Sequence, residues 1–385
     1  MRVLIVGGGI IGLSIAEELT RRDVEVQIFE RNPKTGAEAS SAAAGILSPQ
    51  GEAKGPGPLL DLLQAGYQMI PEAVARLESL TGMDLKFKAG GMLALALSDA
   101  DEEELERAYS WQTKAGLQLD RVSGSEVKKL EPAVDGPVRW GIWWPQTSQI
   151  DNTRLVEAYR QAVERQGGKV QTGTPVTRFL TEADRVTGVE TSKGKVFGDW
   201  VVNCAGSWSG FDASFSLPVP TVPVKGQMLQ FRTERPWFQR IVRSTRVYFV
   251  QRSAKEIVVG TTVEQVGFDK EVTEEGRRSI QAGAKEMVSR IASVVPEKSW
   301  AGLRPGTPDE LPILGPTPFK NFLLATGHYR NGILLAPLTG RLIADWITRG
   351  GCSTDLSAFS VARFLADRHP RESGDQILWS SPRMT

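Results

Sequence analysis

One stretch constrains this chain more than any other: RVLIVGGGIIGLSIAEELTRRDVEVQIFER, residues 2–31. Val3 to Val6 is a short apolar run without alternation, the pattern of a strand buried on both faces. Gly7, Gly9 and Gly12 follow at once as G-x-G-x-x-G. The next residues then set Ile11, Ile15, Ala16 and Leu19 on one helical stripe. Asp23 marks a turn, and Val24 to Phe29 reads as a second strand closed by Glu30. Gly7 allows the tight turn, Gly9 lets backbone approach a pyrophosphate, and Gly12 lets helix and strand pack closely. The helix N-terminus stabilises phosphate charge. Glu30, about 20 residues on, is placed to accept both hydroxyls of a ribose, which argues against a 2′-phosphate and so against NADP. The competing reading is a glycine turn in some other α/β domain, which would not need all these parts in register.

The following segment, TGAEASSAAAGILSPQ, is too poor in bulk to build a core. It suits backbone that runs close to something large and flat. Ser40 and Ser41 are placed to bond phosphate oxygens, and Ala44, Gly45 and Ile46 to lie along an aromatic ring system. The alternative is the start of a small-residue helix packed on the sheet. A nicotinamide dehydrogenase would continue with further βα units. Here Pro58 to Leu80 reads instead as a long helix, with Leu59, Leu62, Leu63, Met69, Ile70, Val74 and Leu77 on its apolar side.

Further on, residues 151–168 form an amphipathic helix capped by Asp151 or Asn152 and ended by Gly167-Gly168. Strands alternate from there to a buried run at Trp200 to Cys204. Segments 90–97, 139–145, 226–232, 246–252 and 256–262 read as strands of an antiparallel or mixed sheet, followed by a helix from Glu274 to Val294. The pattern predicts an α/β domain with an α+β insertion, which 385 residues can supply. A net charge of +1 gives no reason to expect nucleic acid or an anionic membrane. The two cysteines, Cys204 and Cys352, have no metal or redox spacing. MRVLIVGGG is too short in apolar residues for a signal peptide, and no apolar run suffices to span a bilayer. The expectation is a cytoplasmic protein with no metal.

The opening βαβ, SSAAAG, VVNCAGSWS (201–209), AGLRPGTPDELPILG (301–315) and GHYRNGILLAP (327–337) together resemble the glycine oxidases of the D-amino-acid oxidase family of FAD-dependent amine oxidases. The resemblance runs from Met1 to about Trp346. It implies a Rossmann-like FAD-binding domain discontinuous in sequence (1–84, 146–217 and 303–369) and a substrate domain on an antiparallel or mixed sheet (85–145 and 218–302). A polar tail, 370–385, remains. It also implies that glycine, or a small amine such as sarcosine or a small D-amino acid, passes a hydride to flavin N5. The products would be glyoxylate and ammonia, with O2 reduced to hydrogen peroxide, in support of thiamine thiazole synthesis by a homotetramer. A D-amino-acid, sarcosine or proline oxidase or dehydrogenase of the same family and a non-catalytic flavoprotein subunit are the alternatives.

Such chemistry asks little of side chains, and His328 and His369 are the only histidines, so no acid or base is expected. An amino-acid substrate does require a carboxylate clamp, for which arginine is suited. Arg304, expected in a loop fixed by glycine and proline, and Arg330 are the candidates. The resemblance implies that Arg304 pairs with the carboxylate, that Arg330 assists, and that the Tyr248 hydroxyl bonds it too. The alternatives are a salt bridge from Arg304 to Asp309 or Glu310, and a tyrosine packed in a sheet. FLLATG reads as a strand and NGILLAPLTGRLIADWI as a helix, so His328 to Gly332 is a turn at the carboxyl end of a parallel sheet, where ligands bind. Gly332 lets the helix start approach the flavin. The cofactor set is Gly7, Gly9, Ile10, Ile11, Gly12, Glu30, Arg31, Ser40, Ser41, Ala44, Gly45, Ile46, Val176, His328, Tyr329, Arg330, Asn331, Gly332 and Ile333. No cysteine lies near Gly302, where some relatives attach the flavin, so FAD is expected to be non-covalent. Arg246 and Val263 stand where histidine and methionine are frequent in the family. An extra cation at Arg246 either favours an acidic substrate or points to solvent.

Overall fold

The computed structural model describes residues 1–365. The expected polar tail and His369 lie outside the described residues. A six-stranded sheet carries the first unit, in the order Ile313–Pro316, Phe322–Thr326, Trp200–Asn203, Arg2–Val6, Glu25–Phe29, Lys169–Gln171. All its pairs are parallel except the first. Val3, Leu4 and Ile5 are fully buried, as a strand covered on both faces requires. After Arg2–Val6 the chain pairs on one side with Glu25–Phe29 and later returns to the other side with Trp200–Asn203. The crevice at the carboxyl end of Arg2–Val6 is therefore a topological switch point.

Helices Ile10–Thr20, Pro58–Thr81, Asn152–Arg165 and Gly332–Arg349 pack on this sheet and on one another, and their apolar stripes share one core. Asp151 is the cap of the third, its carboxylate accepting from the backbone of Thr153 and Arg154.

The second unit is an eight-stranded sheet, ordered Pro296–Gly306, Val222–Arg232, Glu256–Gly260, Tyr248–Ser253, Ile241–Arg243, Met92–Ala96, Trp140–Trp144, Asp120–Ser123. It is antiparallel except between Ile241–Arg243 and Met92–Ala96. The mixed sheet expected of the covering domain is present, and Trp140 and Trp144 are buried in it.

Three details differ from the sequence reading. Arg304 lies in the long edge strand Pro296–Gly306, not in a loop, so a division between 302 and 303 falls inside that strand. The helix from Glu274 stops at Met287, because Val288 is extended and Asp135 captures the Ser289 amide at 2.7 Å. Helix Asp99–Lys114, with its Ser98–Asp101 capping box, covers a stretch that the periodicity left unassigned.

Candidate active site

Two cavities meet between the sheets. The first runs along the switch point and is lined by Gly7, Gly9, Ile10, Ile11, Glu30, Arg31, Ser40 and Val176, and by His328, Tyr329, Arg330, Gly332 and Ile333. The second lies under the eight-stranded sheet and is lined by Ala44, Gly45, Ile46, Glu52, Met228, Arg243, Arg246, Tyr248, Arg304, Tyr329, Arg330 and Ile333. Ala39, Ala43, Tyr329, Arg330 and Ile333 line both, so the cavities are continuous.

The first cavity suits a dinucleotide on structural grounds. Helices Ile10–Thr20 and Gly332–Arg349 both start at it, and neither has a side-chain cap. The Ile10 amide is taken by Ser40 Oγ, but the other N–H groups of these first turns keep capacity for an anion. A Cβ at Gly332 would meet nothing nearer than 3.8 Å, and one at Gly9 only Ser40 Oγ at 3.4 Å. Protein packing does not demand glycine at either place; close passage of a ligand would. Gly7 is different, since its φ of +107° and the Cys204 carbonyl both exclude a side chain. The Glu30 carboxylate accepts from the Gly8 amide at 2.8 Å and from Asn32 N and Nδ2 at 2.7 and 2.9 Å. Three of its roughly four acceptor positions are then in use, so two ribose hydroxyls would share what remains.

Of the other sequence candidates, Ser40 Oγ accepts from the Ile10 amide at 3.0 Å, while the Ser41 hydroxyl donates to the Gly36 carbonyl. Ser41, Gly12 and Asn331 do not line either cavity. Gly12 serves packing: a Cβ there would lie 2.1 Å from the Gly7 carbonyl. Arg31 stacks on Trp208, 3.5 Å from its centroid, and pairs with Glu38. His328 is buried against Thr339 Oγ1 at 3.1 Å, and burial lowers its pKa to about 3, so the ring is neutral. Burial pushes the Cys204 thiol well up, leaving it protonated.

The second cavity is organised around Arg304. Its guanidinium donates to Thr261 Oγ1 at 2.8 Å and to the Thr262 and Lys225 carbonyls at 3.3 and 3.4 Å. These are neutral acceptors, and they leave two of five N–H groups free. Gly226 makes the space, since a Cβ there would lie 2.2 Å from Arg304 Nη2. The alternative partners are engaged elsewhere: Asp309 with Arg363 and Glu310 with Lys54. Burial lowers the Arg304 pKa, and the neighbouring Arg330 cation lowers it further. Burial also acts against the Arg330 cation, but Glu52 and Tyr329 outweigh it and hold its pKa up. Neither arginine has a carboxylate within salt-bridge distance among the described residues. Tyr248 aims its hydroxyl at Met228 Sδ, 3.3 Å away, and burial raises its pKa, with Arg304 and Arg330 opposing. The site thus joins two cations and a phenol at a cleft that continues into the dinucleotide cavity.

Arg246 lines the rim but turns to Glu286, and Val263 is exposed. Glu52 and the Ala205–Trp208 turn also line these cavities; the sequence reading passed over Glu52 and quoted the turn within VVNCAGSWS without giving it a site role. Among the described residues no cluster of acids, histidines or cysteines could hold a metal, and no helix is long and apolar enough to cross a membrane.

The model of the family described as DAO, FAD dependent oxidoreductase, matches residues 2–346. The chain belongs to this family. Glycine oxidase of Pseudomonas aeruginosa is 35% identical over 89% of this chain and 94% of its own length. The bifunctional protein ThiO/ThiG of Synechocystis sp. is 38% identical over 96% of this chain, which spans only 55% of that protein. The crystal structure of glycine oxidase from Geobacillus kaustophilus superposes with a TM-score of 0.89, at 32% identity over 94% of this chain and 99% of the other. An FAD-dependent oxidoreductase is thus an α/β protein whose cofactor is FAD, and the uncapped helix starts and open glycines described above fit it.

Proposed function

We propose that this oxidoreductase oxidises glycine, and small amines such as sarcosine or small D-amino acids, to the imine, which water hydrolyses; for glycine the products are glyoxylate and ammonia. The observation that carries the reading is the Arg304–Arg330 pair, two neighbouring cations with no carboxylate within salt-bridge distance among the described residues, facing the same cavity as the Tyr248 hydroxyl. An α-carboxylate supplies the missing charge, and Arg304 keeps enough free N–H groups to take it in bidentate fashion. Non-covalent FAD would supply the two-electron oxidation of the Cα–N bond and return the electrons to O2 as hydrogen peroxide. The chain's own part is to bind and orient: Arg304 and Arg330 hold the carboxylate end. His328 is neutral and bonded to Thr339, so it acts as packing, and no side chain is assigned as acid or base.

Glycine is favoured over other amines by the two glycine oxidase relatives. The thiamine-related role and the homotetramer rest on the resemblance, and the cytoplasmic location on the reading of the N-terminal and apolar segments; all three belong to this proposal. The test is anaerobic addition of glycine to the purified flavoprotein. Bleaching of the visible spectrum, reversed by air with peroxide formed, is the expected result. Bleaching by proline or a larger amine but not by glycine would replace the substrate, and bleaching without recovery in air would make the enzyme a dehydrogenase.

A further inference from the structure

Arg304 does not hold its place alone. Its three acceptors belong to two short segments, 225–227 and 261–264, joined by a network that the proposed reaction does not itself use. Lys225 and Glu264 exchange backbone hydrogen bonds, each at 2.9 Å. The Glu264 carboxylate accepts from Thr262 Oγ1 at 2.5 Å and Gln227 Nε2 at 2.8 Å, and it pairs with Lys225 Nζ at 3.0 Å. Lys225 is 1% exposed, and its remaining contacts are the Glu271 carbonyl at 3.2 Å and Asp269 at 3.6 Å. Thr262 Oγ1 accepts from the Gln227 amide at 2.9 Å, and Thr261 Oγ1 donates to the Gln227 carbonyl at 3.0 Å.

Stability alone does not account for this arrangement. Only Lys225 is buried while the Glu264 side chain is partly exposed, and desolvation of the lysine offsets much of the attraction between them. What the charges add here is a fixed place for the two threonines just where the chain leaves strand Glu256–Gly260. Burial works against the Glu264 charge, but the bonds from Thr262, Gln227 and Lys225 outweigh it and hold its pKa below the usual range.

We propose that Glu264, anchored by Lys225, is a positioning residue: it fixes Thr261 and Thr262 so that Arg304 presents its free N–H groups to the substrate carboxylate. This rests on the reading of the second cavity as the amino-acid site.

The experiment uses the FAD-loaded enzyme, with acetate binding followed by perturbation of the flavin spectrum and glycine oxidation followed in parallel. Glu264→Ala and Thr262→Val are expected to raise the acetate Kd and the glycine KM together by about ten- to a hundredfold, with kcat within about twofold and flavin content unchanged. Thr262→Ser, which keeps the hydroxyl, restores both. Glu131→Gln, a buried substitution outside the lining of both cavities, lowers Tm without moving the acetate Kd, so loss of stability alone does not reproduce the effect. If Glu264→Ala fails to fold, the Thr262→Val and Thr262→Ser pair decides. Wild-type acetate affinity in Thr262→Val overturns the proposal, as does an equal loss in Glu131→Gln. If Arg304→Ala itself binds acetate normally, the site reading fails, and this inference fails with it.

Discussion

Glu131 and Arg304 belong to the same covering domain, yet the protein treats their charges in opposite ways. Glu131 has no exposed surface, and its carboxylate accepts from the Gln239 and Arg240 amides at 3.0 and 2.9 Å and from the Arg240 guanidinium at 3.3 Å. Glu17 is closed in the same manner by Arg76, at 3.1 and 3.0 Å. Arg304 meets only neutral acceptors, with a second cation beside it. A closed network serves the fold. An open one costs desolvation without return until an anion arrives, and this difference is what supports the proposed substrate site.

The two kinds of site should respond oppositely to substitution. Arg304→Ala is expected to reduce kcat/KM for glycine on the order of a thousandfold, while Tm stays level or rises; kinetics and thermal unfolding on one preparation check both. Glu131→Gln should do the reverse. It leaves the Arg240 cation without its acid and costs about 3–5 kcal/mol, read by denaturant unfolding, with KM unchanged. Tyr248→Phe removes one hydrogen bond from the open site and should raise KM about tenfold or less, with flavin content unaltered. A further effect is on pH dependence. His328 is neutral when folded, with a pKa of about 3 against an ordinary 6.5. Its contribution to stability is whole above 6.5 and is lost as pH falls towards 3. His328→Gln should flatten the unfolding free energy across that window.

The nucleotide unit was legible because its signals are local. Strand, glycine turn, helix and acid lie within about 30 residues, and each residue type answers a need of its own turn or face. The strand around Arg304 was not. Gly302, Pro305 and Gly306 read as loop punctuation, but this is an edge strand, where proline gives up no necessary ladder bond. Its glycines answer neighbours distant in sequence, since a Cβ at Gly302 would lie 2.3 Å from Ala42 Cβ. The Lys225–Glu264 pair was hidden for the same reason: nothing in either local sequence shows that the lysine is buried or that its partner lies on another strand's exit. The two arginines and the tyrosine were singled out as types, from the resemblance and the chemistry of carboxylates. Their open hydrogen-bonding capacity could be read only once the neighbouring acids, Asp309 and Glu310, were seen to be engaged elsewhere.

The central claim is that Arg304 and Arg330 form an anion site beside the flavin. Its most direct test is an anaerobic acetate titration of the wild-type flavoprotein and of Arg304→Ala, with the flavin spectrum as readout. Saturable perturbation in the wild type, absent in Arg304→Ala at equal flavin content, is the expected result. Equal affinity in the two proteins would contradict the account.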